Sequence, residues 1–348
     1  MKEKTMSRRS FVKASAASVA AMSVPTMASG RTAGAEAPAA APQQQAGAAQ
    51  NFIPAWKPGD PDSFTRYYFD SLMLETRYLD SDTPSTKFEL FGETFDTPIM
   101  TAALSHLRNP NNNGMVTYAQ AAKLCNAVHW MGMGEDKELE DVLATGARTI
   151  KVIKPHIEND EVFRRIRHAV GAGCFAIGMD IDHMFNSTGG WDVVMGVPMR
   201  PKTLEDIKSF VKASSVPFII KGVLSVSDAR KCLDAGVAGI VLSHHGGRVK
   251  YSIPPLMAIE AIADAVGGKM KIFVDCGVVS GMDAYKALAL GADAVSVGRH
   301  LMPLVSQGAE AVAKRMNAMT AELAGAMAAT GVTSLDKMDP TVIHKTLV

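Results

Sequence analysis

The sequence has little of what most directly declares a protein class. Its 348 residues hold four cysteines, Cys125, Cys174, Cys232 and Cys276, with no Cys-x-x-Cys spacing. That excludes a disulfide scaffold or a zinc ribbon and leaves buried free thiols as the expectation. Charge of one sign is missing too: 36 Lys and Arg stand against 35 Asp and Glu, a net charge of +1. No general argument for nucleic acid or an anionic membrane surface as partner survives that balance. The nine histidines include no His-x-His or His-x-x-x-His pair, so no metal-ligand spacing is present and no metal is expected. The dinucleotide fingerprint Gly-x-Gly-x-x-Gly is also missing. What remains is a chain long enough for one large barrel or two ordinary domains.

The N-terminus does carry a pattern. Ser7-Arg8-Arg9-Ser10-Phe11-Val12-Lys13 is followed by a weakly apolar run from Ala14 to Val24 and by the small residues Ala33-Gly34-Ala35. This is read as a twin-arginine signal peptide over residues 1–35. The apolar run is shorter than the roughly 20 residues that span a bilayer. The expectation is therefore export, to the periplasm or cell exterior, by a route that carries folded and often cofactor-loaded proteins. From Glu36 to Gln50 nearly every residue is Ala, Pro, Gln or Gly. Such a stretch cannot bury enough apolar surface to offset its ordering entropy, so residues 36–58 are expected to be a disordered linker before a domain over 59–348.

Within that domain, short β-rich runs alternate with helical periods, the mark of parallel βα units. Eight strands are predicted: Pro98 to Ala102, Ala127 to Met131, Thr149 to Ile153, Ala176 to Asp180, Phe218 to Lys221, Gly239 to Ser243, Lys271 to Asp275 and Ala294 to Val297. Leu204 to Ala213, Val226 to Ala235 and Met282 to Leu290 have apolar residues three or four apart, as helices do. Ser280 is placed to cap one helix start, and Gly236 and Gly291 suit left-handed helix ends. Eight units without a dinucleotide fingerprint favour an α/β fold of the (β/α)8 TIM-barrel type over an open doubly wound sheet. Phe64 to Phe95 is expected to be a lead-in whose short β pieces close the barrel bottom, and Glu310 to Ala329 the last long helix.

Chemistry in such a barrel is built where strands end. The apolar run Val237 to Leu242 ends in Ser243-His244-His245-Gly246-Gly247-Arg248, a cluster of groups that bind and move protons. Phosphate sites lie after strands seven and eight, where Asp275-Cys276-Gly277 and Gly298-Arg299 fall. Glycine lets backbone N–H groups approach a phosphate, and arginine adds a charge-assisted bond. Six histidines, His106, His129, His156, His183, His244 and His245, are predicted in or just beyond strand ends on one face. They read as a polar pocket for an anionic substrate.

Together, Lys221-Gly222-Val223, Ser243 to Arg248, Asp275-Cys276-Gly277-Val278 and Gly298-Arg299 resemble the FMN-dependent α-hydroxy-acid oxidase and dehydrogenase family. The likeness is close from Pro217 to Met302 and thinner back to Pro98. It implies an FMN-linked oxidoreductase acting on a small 2-hydroxy acid or related anionic substrate. Its electrons would pass to a quinone, a redox protein or oxygen, in a chain that forms a homo-oligomer. It implies His245 as the proton acceptor, Asp182 as its partner, and Arg248 as the holder of the substrate carboxylate. Lys221 would place its charge against the pyrimidine edge of the flavin. Ala102, Lys151, Asp180, Ser243, Asp275, Gly277, Gly298 and Arg299 complete the implied cofactor set. One phosphate cradle and no adenosine-binding segment points to FMN, not FAD.

The sequence departs from the family pattern at several points. His244 stands where the family has asparagine, Val279 where it has arginine, and Ile153 near an active-site tyrosine; a second tyrosine from an N-terminal helix has no counterpart. Two alternatives therefore stay open, an FMN-dependent isomerase of the type 2 isopentenyl diphosphate isomerase kind and a flavin-binding protein that has lost catalysis.

Overall fold

The structure, a computed structural model, describes residues 57–346 apart from 109, 110 and 112. The leader over 1–35 and all but the last two residues of the linker over 36–58 lie outside the described residues.

Eight parallel strands form the centre: β1 Ile99–Thr101, β2 His129–Met131, β3 Thr149–Ile153, β4 Ala176–Asp180, β5 Phe218–Lys221, β6 Gly239–Leu242, β7 Lys271–Val274 and β8 Ala294–Val297. From β2 to β8 each pairs with the next, and β8 pairs back with β1 through Ser296 and Met100. The seam between β1 and β2 is closed by Thr101 N–H donating to Val128 O at 3.2 Å and Gly132 N–H to Leu104 O at 2.7 Å. The barrel expected from the alternating pattern is the fold. The strands are up to two residues shorter than the apolar runs. Pro98, lacking an N–H, joins only through its carbonyl, which accepts from Val295 at 3.0 Å.

Strand side chains alternate between two faces, and both are buried. Met100, Trp130, Ile150, Val152, Ala176, Ile219, Val241, Phe273 and Ala294 fill the barrel interior. Their neighbours, such as Ile99, Met131, Ile153, Ile177, Ile220, Ile240, Ile272 and Val295, face the helix layer. Continuing the inner series to the strand ends brings Ala102, Gly132, Lys154, Asp180, Lys221, Ser243, Asp275 and Ser296 to the top of the barrel. An apolar interior thus ends in a polar ring.

The outer helices include Leu204–Ala213, Val226–Asp234, Gly281–Ala289 and Ala309–Ala329. Their starts are fixed chemically. Ser225 accepts from Asp228 N at 3.0 Å, Ser280 from Asp283 N at 3.1 Å, and Thr203 forms a reciprocal capping box with Asp206. Gly236 and Gly291 take left-handed φ values of 76° and 115° just past helix ends.

The lead-in differs from expectation. The hairpin Phe88–Leu90 and Glu93–Phe95 does plug the barrel bottom, with Phe88, Leu90 and Phe95 joining the interior cluster. The segment before it is a helix, α1 (Pro61–Ser71), started by Asp60 and Pro61 and lying over the opposite end of the barrel. Its Thr65 bonds His244 after β6 at 2.8 Å, and its Arg66 donates to Gly277 O after β7 at 2.9 Å. Spacings of three and four bury Arg66, Phe69 and Thr65 on one face. That face reads as amphipathic helix, yet nothing local says which end of the barrel it covers.

Candidate active site

The polar ring at the top of the barrel is a set of opposed charges. Lys221 Nζ lies 3.1 Å from Asp180, 3.6 Å from Asp182 and 3.8 Å from Asp275, and 3.1 Å from His245 Nδ1. Burial opposes its charge, but the three carboxylates hold its pKa above the ordinary lysine value. Burial alone would raise Asp180, yet Lys154 and Lys221 keep it well below the usual carboxylate range. Asp182 is lowered in the same way, with Lys221 overcoming its burial.

His245 is aimed by an unusual turn. His245, Gly246 and Gly247 all take positive φ, 50°, 68° and 84°. Three such residues in a row turn the chain sharply off β6, and the glycines make this affordable sterically. The turn is tied by His245 N–H to Ser243 Oγ at 3.1 Å, and by Gly247 N–H to His244 Nδ1 at 3.0 Å. His245 Nδ1 then meets Asp182 Oδ1 at 2.8 Å. The His183 ring stands edge-on to His245, centroids 4.6 Å apart. With Nδ1 held, Nε2 is the nitrogen free to exchange a proton.

Arg248 is engaged elsewhere. Its Nε donates to Asp182 O at 2.9 Å, and its Nη2 donates to Phe185 O at 3.0 Å and to Asp192 at 2.7 Å. Asp192 also bonds His183 Nδ1 at 2.7 Å. Burial lowers the His183 pKa to about 4, against the pull of Asp192.

Beside these groups opens a cavity of about 440 Å³, lined among others by Ala102, Lys221, His245, Asp275, Gly298 and Arg299. Gly277, Gly298 and Arg299 on its lining form a cradle of the kind phosphate takes. A Cβ on Gly277 would come within 2.7 Å of Thr65 Cγ2, and one on Gly298 within 3.2 Å of Ala102 Cβ. A side chain at Gly277 would thus collide with α1, and one at Gly298 would press on the end of β1. Arg299 lies there too, its two terminal nitrogens each 2.6 Å from the Asp62 carboxylate of α1.

The FMN-dependent dehydrogenase family model matches residues 63–204 and 199–345 of this chain. The chain belongs to that family. Among curated relatives, an L-lactate oxidase of a Roseobacter species is 28% identical, with 74% of this chain and 79% of the relative covered. The 4-hydroxymandelate oxidase of Amycolatopsis orientalis is 29% identical over 72% and 80%, and glycolate oxidase of Spinacia oleracea 27% over 80% and 84%. Among solved structures, a mandelate oxidase variant with a monooxide FMN adduct aligns with a TM-score of 0.75 at 27% identity, covering 84% of this chain and 93% of that one. FMN is the cofactor of this enzyme, and its chemistry is that of an oxidoreductase on hydroxy acids.

The cavity of this FMN-dependent enzyme fits that cofactor. It falls within the ~300–1,000 Å³ of small-molecule sites. It also joins a glycine-and-arginine cradle to a buried lysine. Ala102, Lys221, Asp275, Gly277, Gly298 and Arg299 are brought together around it as the sequence implied. Asp180 and Asp182 stand behind Lys221, and Ser243 supports the His245 turn.

Lys151 is not brought to the cavity. It lies out of phase with the interior residues Ile150 and Val152, so its side chain enters the strand–helix layer and donates to Gly132 O at 2.5 Å. Burial there lowers its pKa to about 8. The in-phase residue, Lys154, reaches the ring and pairs with Asp180. Counting in twos from Ile150 would have found it. Asp62, Arg66 and Ser296 also line the cavity. Ser296 follows from the same alternation, while the α1 residues carry no local signal.

The expected row of six histidines resolves into three. His183, His244 and His245 meet at the site, with His244 buried under α1. His129 begins β2 and faces the helix layer, with Nδ1 2.8 Å from Thr101 Oγ1 and its ring edge-on to Tyr118. Burial lowers its pKa to about 3. His156 is buried outside the cavity, its carbonyl accepting from Lys202, and His106 lies in the loop after β1. Asp180, Asp182, His183 and His245 have ligand atoms within 4.8 Å of one another. Lys221 already supplies positive charge among them.

Proposed function

We propose that the enzyme oxidises a small 2-hydroxy acid to the 2-oxo acid, with His245 taking the proton that leaves the substrate. The observation that carries this reading is the 2.8 Å contact between His245 Nδ1 and Asp182 at the wall of the cavity. FMN, when bound, would supply the acceptor for the substrate's two electrons and its second proton. The residues supply the rest. Asp182 fixes the ring so that Nε2 faces outward for the proton. Asp180, Asp182 and Asp275 set three negative charges against the two positive charges of Lys154 and Lys221. A proton arriving on His245 makes that cluster neutral. Arg248 orients the substrate carboxylate once Asp192 yields it, and Lys221 holds its charge against the flavin. Ala102, Gly277, Gly298 and Arg299 hold the cofactor.

The oxidase relatives favour this reading over the isomerase, and the paired His245 favours it over a protein without catalysis. The relatives also make oxygen the first acceptor to test, before a quinone or a redox protein. The Arg8-Arg9 pair and its apolar run support export by the twin-arginine route, and a homo-oligomer is proposed on the family resemblance alone. Purified flavoprotein mixed without oxygen with a panel of 2-hydroxy acids should bleach with at least one. If every member leaves the flavin oxidised, the proposed substrate class is wrong.

A further inference from the structure

Beneath the cavity one carboxylate is shared between two ammonium groups. Asp180 Oδ2 pairs with Lys154 Nζ, while Asp180 Oδ1 lies 3.1 Å from Lys221 Nζ. All three side chains are nearly sealed from solvent, 6%, 3% and 4% exposed for Lys154, Asp180 and Lys221. Lys154 follows β3, and Asp180 and Lys221 end the neighbouring β4 and β5, directly opposite each other in the ladder.

We infer that Lys154 is a positioning residue that sets the reduction potential of the bound flavin, by holding the charge of Asp180 partly away from Lys221. A positive charge beside the flavin favours the reduced, anionic ring. Asp180 alone would cancel the charge of Lys221, because a buried pair in contact is poorly screened. With Lys154 on its other oxygen the charge of Asp180 is shared, and the cluster of Lys154, Lys221, Asp180, Asp182 and Asp275 is one unit less negative than it would be without Lys154. Asp192 and Arg248 do not enter this balance, and Asp182 and Asp275 lie farther from Lys221 than Asp180 does. The inference rests on the flavin lying against Lys221, not on the identity of the substrate.

The test is the midpoint potential of the FMN-loaded protein, titrated chemically against a reference dye, so no hydroxy acid is needed. Lys154→Met should lower the equilibrium constant for reduction about tenfold, which is about 30 mV for a two-electron couple. Asp180→Asn should raise it by a similar factor. The double variant keeps the net charge of the wild type and should return close to its potential. A pair that only straps β3 to β4 would change stability and leave all four potentials alike. Should Lys154→Met fail to fold, with its lone buried carboxylate, Asp180→Asn and the double variant still decide. An unchanged or lowered potential in Asp180→Asn, or a double variant no closer to wild type than Asp180→Asn, overturns the inference.

Discussion

Asp192 accepts from Arg248 Nη2 at 2.7 Å, so the guanidinium proposed to hold a substrate carboxylate already serves a carboxylate of the protein. Both other donors in use, Nε to Asp182 O and Nη2 to Phe185 O, tie Arg248 to the same segment. A substrate carboxylate must compete with Asp192 to be held on both prongs. Asp192→Asn should therefore lower KM for the reactive 2-hydroxy acid about five- to tenfold, the size of a charge-assisted contact that is partly exposed. Arg248→Lys should raise KM and lower kcat/KM, because an ammonium has no fork. Steady-state kinetics on both variants checks this, and an unchanged KM in Asp192→Asn would show that Asp192 and substrate do not compete.

A similar rivalry exists at Arg299. Asp62 grips Arg299, the residue proposed to hold the cofactor phosphate, with two contacts of 2.6 Å. Asp62→Asn should tighten FMN about tenfold while leaving riboflavin, which has no phosphate, unchanged. Arg299→Ala should weaken FMN and leave riboflavin alone. Quenching of flavin fluorescence measures both. Weaker FMN binding in Asp62→Asn would mean that Asp62 steadies Arg299 for the phosphate.

Acid should destabilise the fold through its buried histidines. His129, held near 3, and His156 and His183, near 4, are neutral in the folded chain and protonate near 6.5 when unfolded. The unfolded chain therefore binds more protons in that window, and stability is fully present above pH 6.5 and falls as pH drops toward 4 and 3. The His129 share is on the order of 4 kcal/mol by pH 3, at about 1.4 kcal/mol per unit. His129→Gln should flatten the slope of stability between pH 6.5 and 4 in denaturant titrations. A slope equal to wild type would remove His129 from the account.

Export has its own check. Arg8→Lys with Arg9→Lys should leave folded, flavin-loaded protein in the cytoplasm of cells that export the parent chain. Undiminished export would mean that the N-terminus uses another signal.

The barrel was legible because its signals are local. Short apolar runs, rich in Val, Ile and Phe in most of the strands, mark them, and the breaks between the runs mark the turns. Lys221 follows from the family resemblance and Asp275 from its place at the end of strand seven; in the structure both continue the inward face that the apolar residues of their strands set. Lys151 was placed through a likeness to relatives, although Ile150 and Val152 put it on the outward face and gave Lys154 the inward one. The partners of Arg248 and Arg299 were illegible for a different reason. Asp192 and Asp62 lie 56 and 237 residues away in sequence, and only the closed barrel with α1 across its mouth brings them near. The departures at His244 and Val279 were visible. That His244 anchors Thr65 of α1 was not.

Reduction of the flavin by a 2-hydroxy acid, followed without oxygen by stopped-flow absorbance, tests the central claim that His245 takes the substrate proton. The account predicts that His245→Ala keeps FMN and a bound substrate analogue but loses reduction by about 10²- to 10⁴-fold, the range of general-base catalysis. Reduction at the wild-type rate in His245→Ala would contradict it and turn attention to His183, whose ring lies 4.6 Å away.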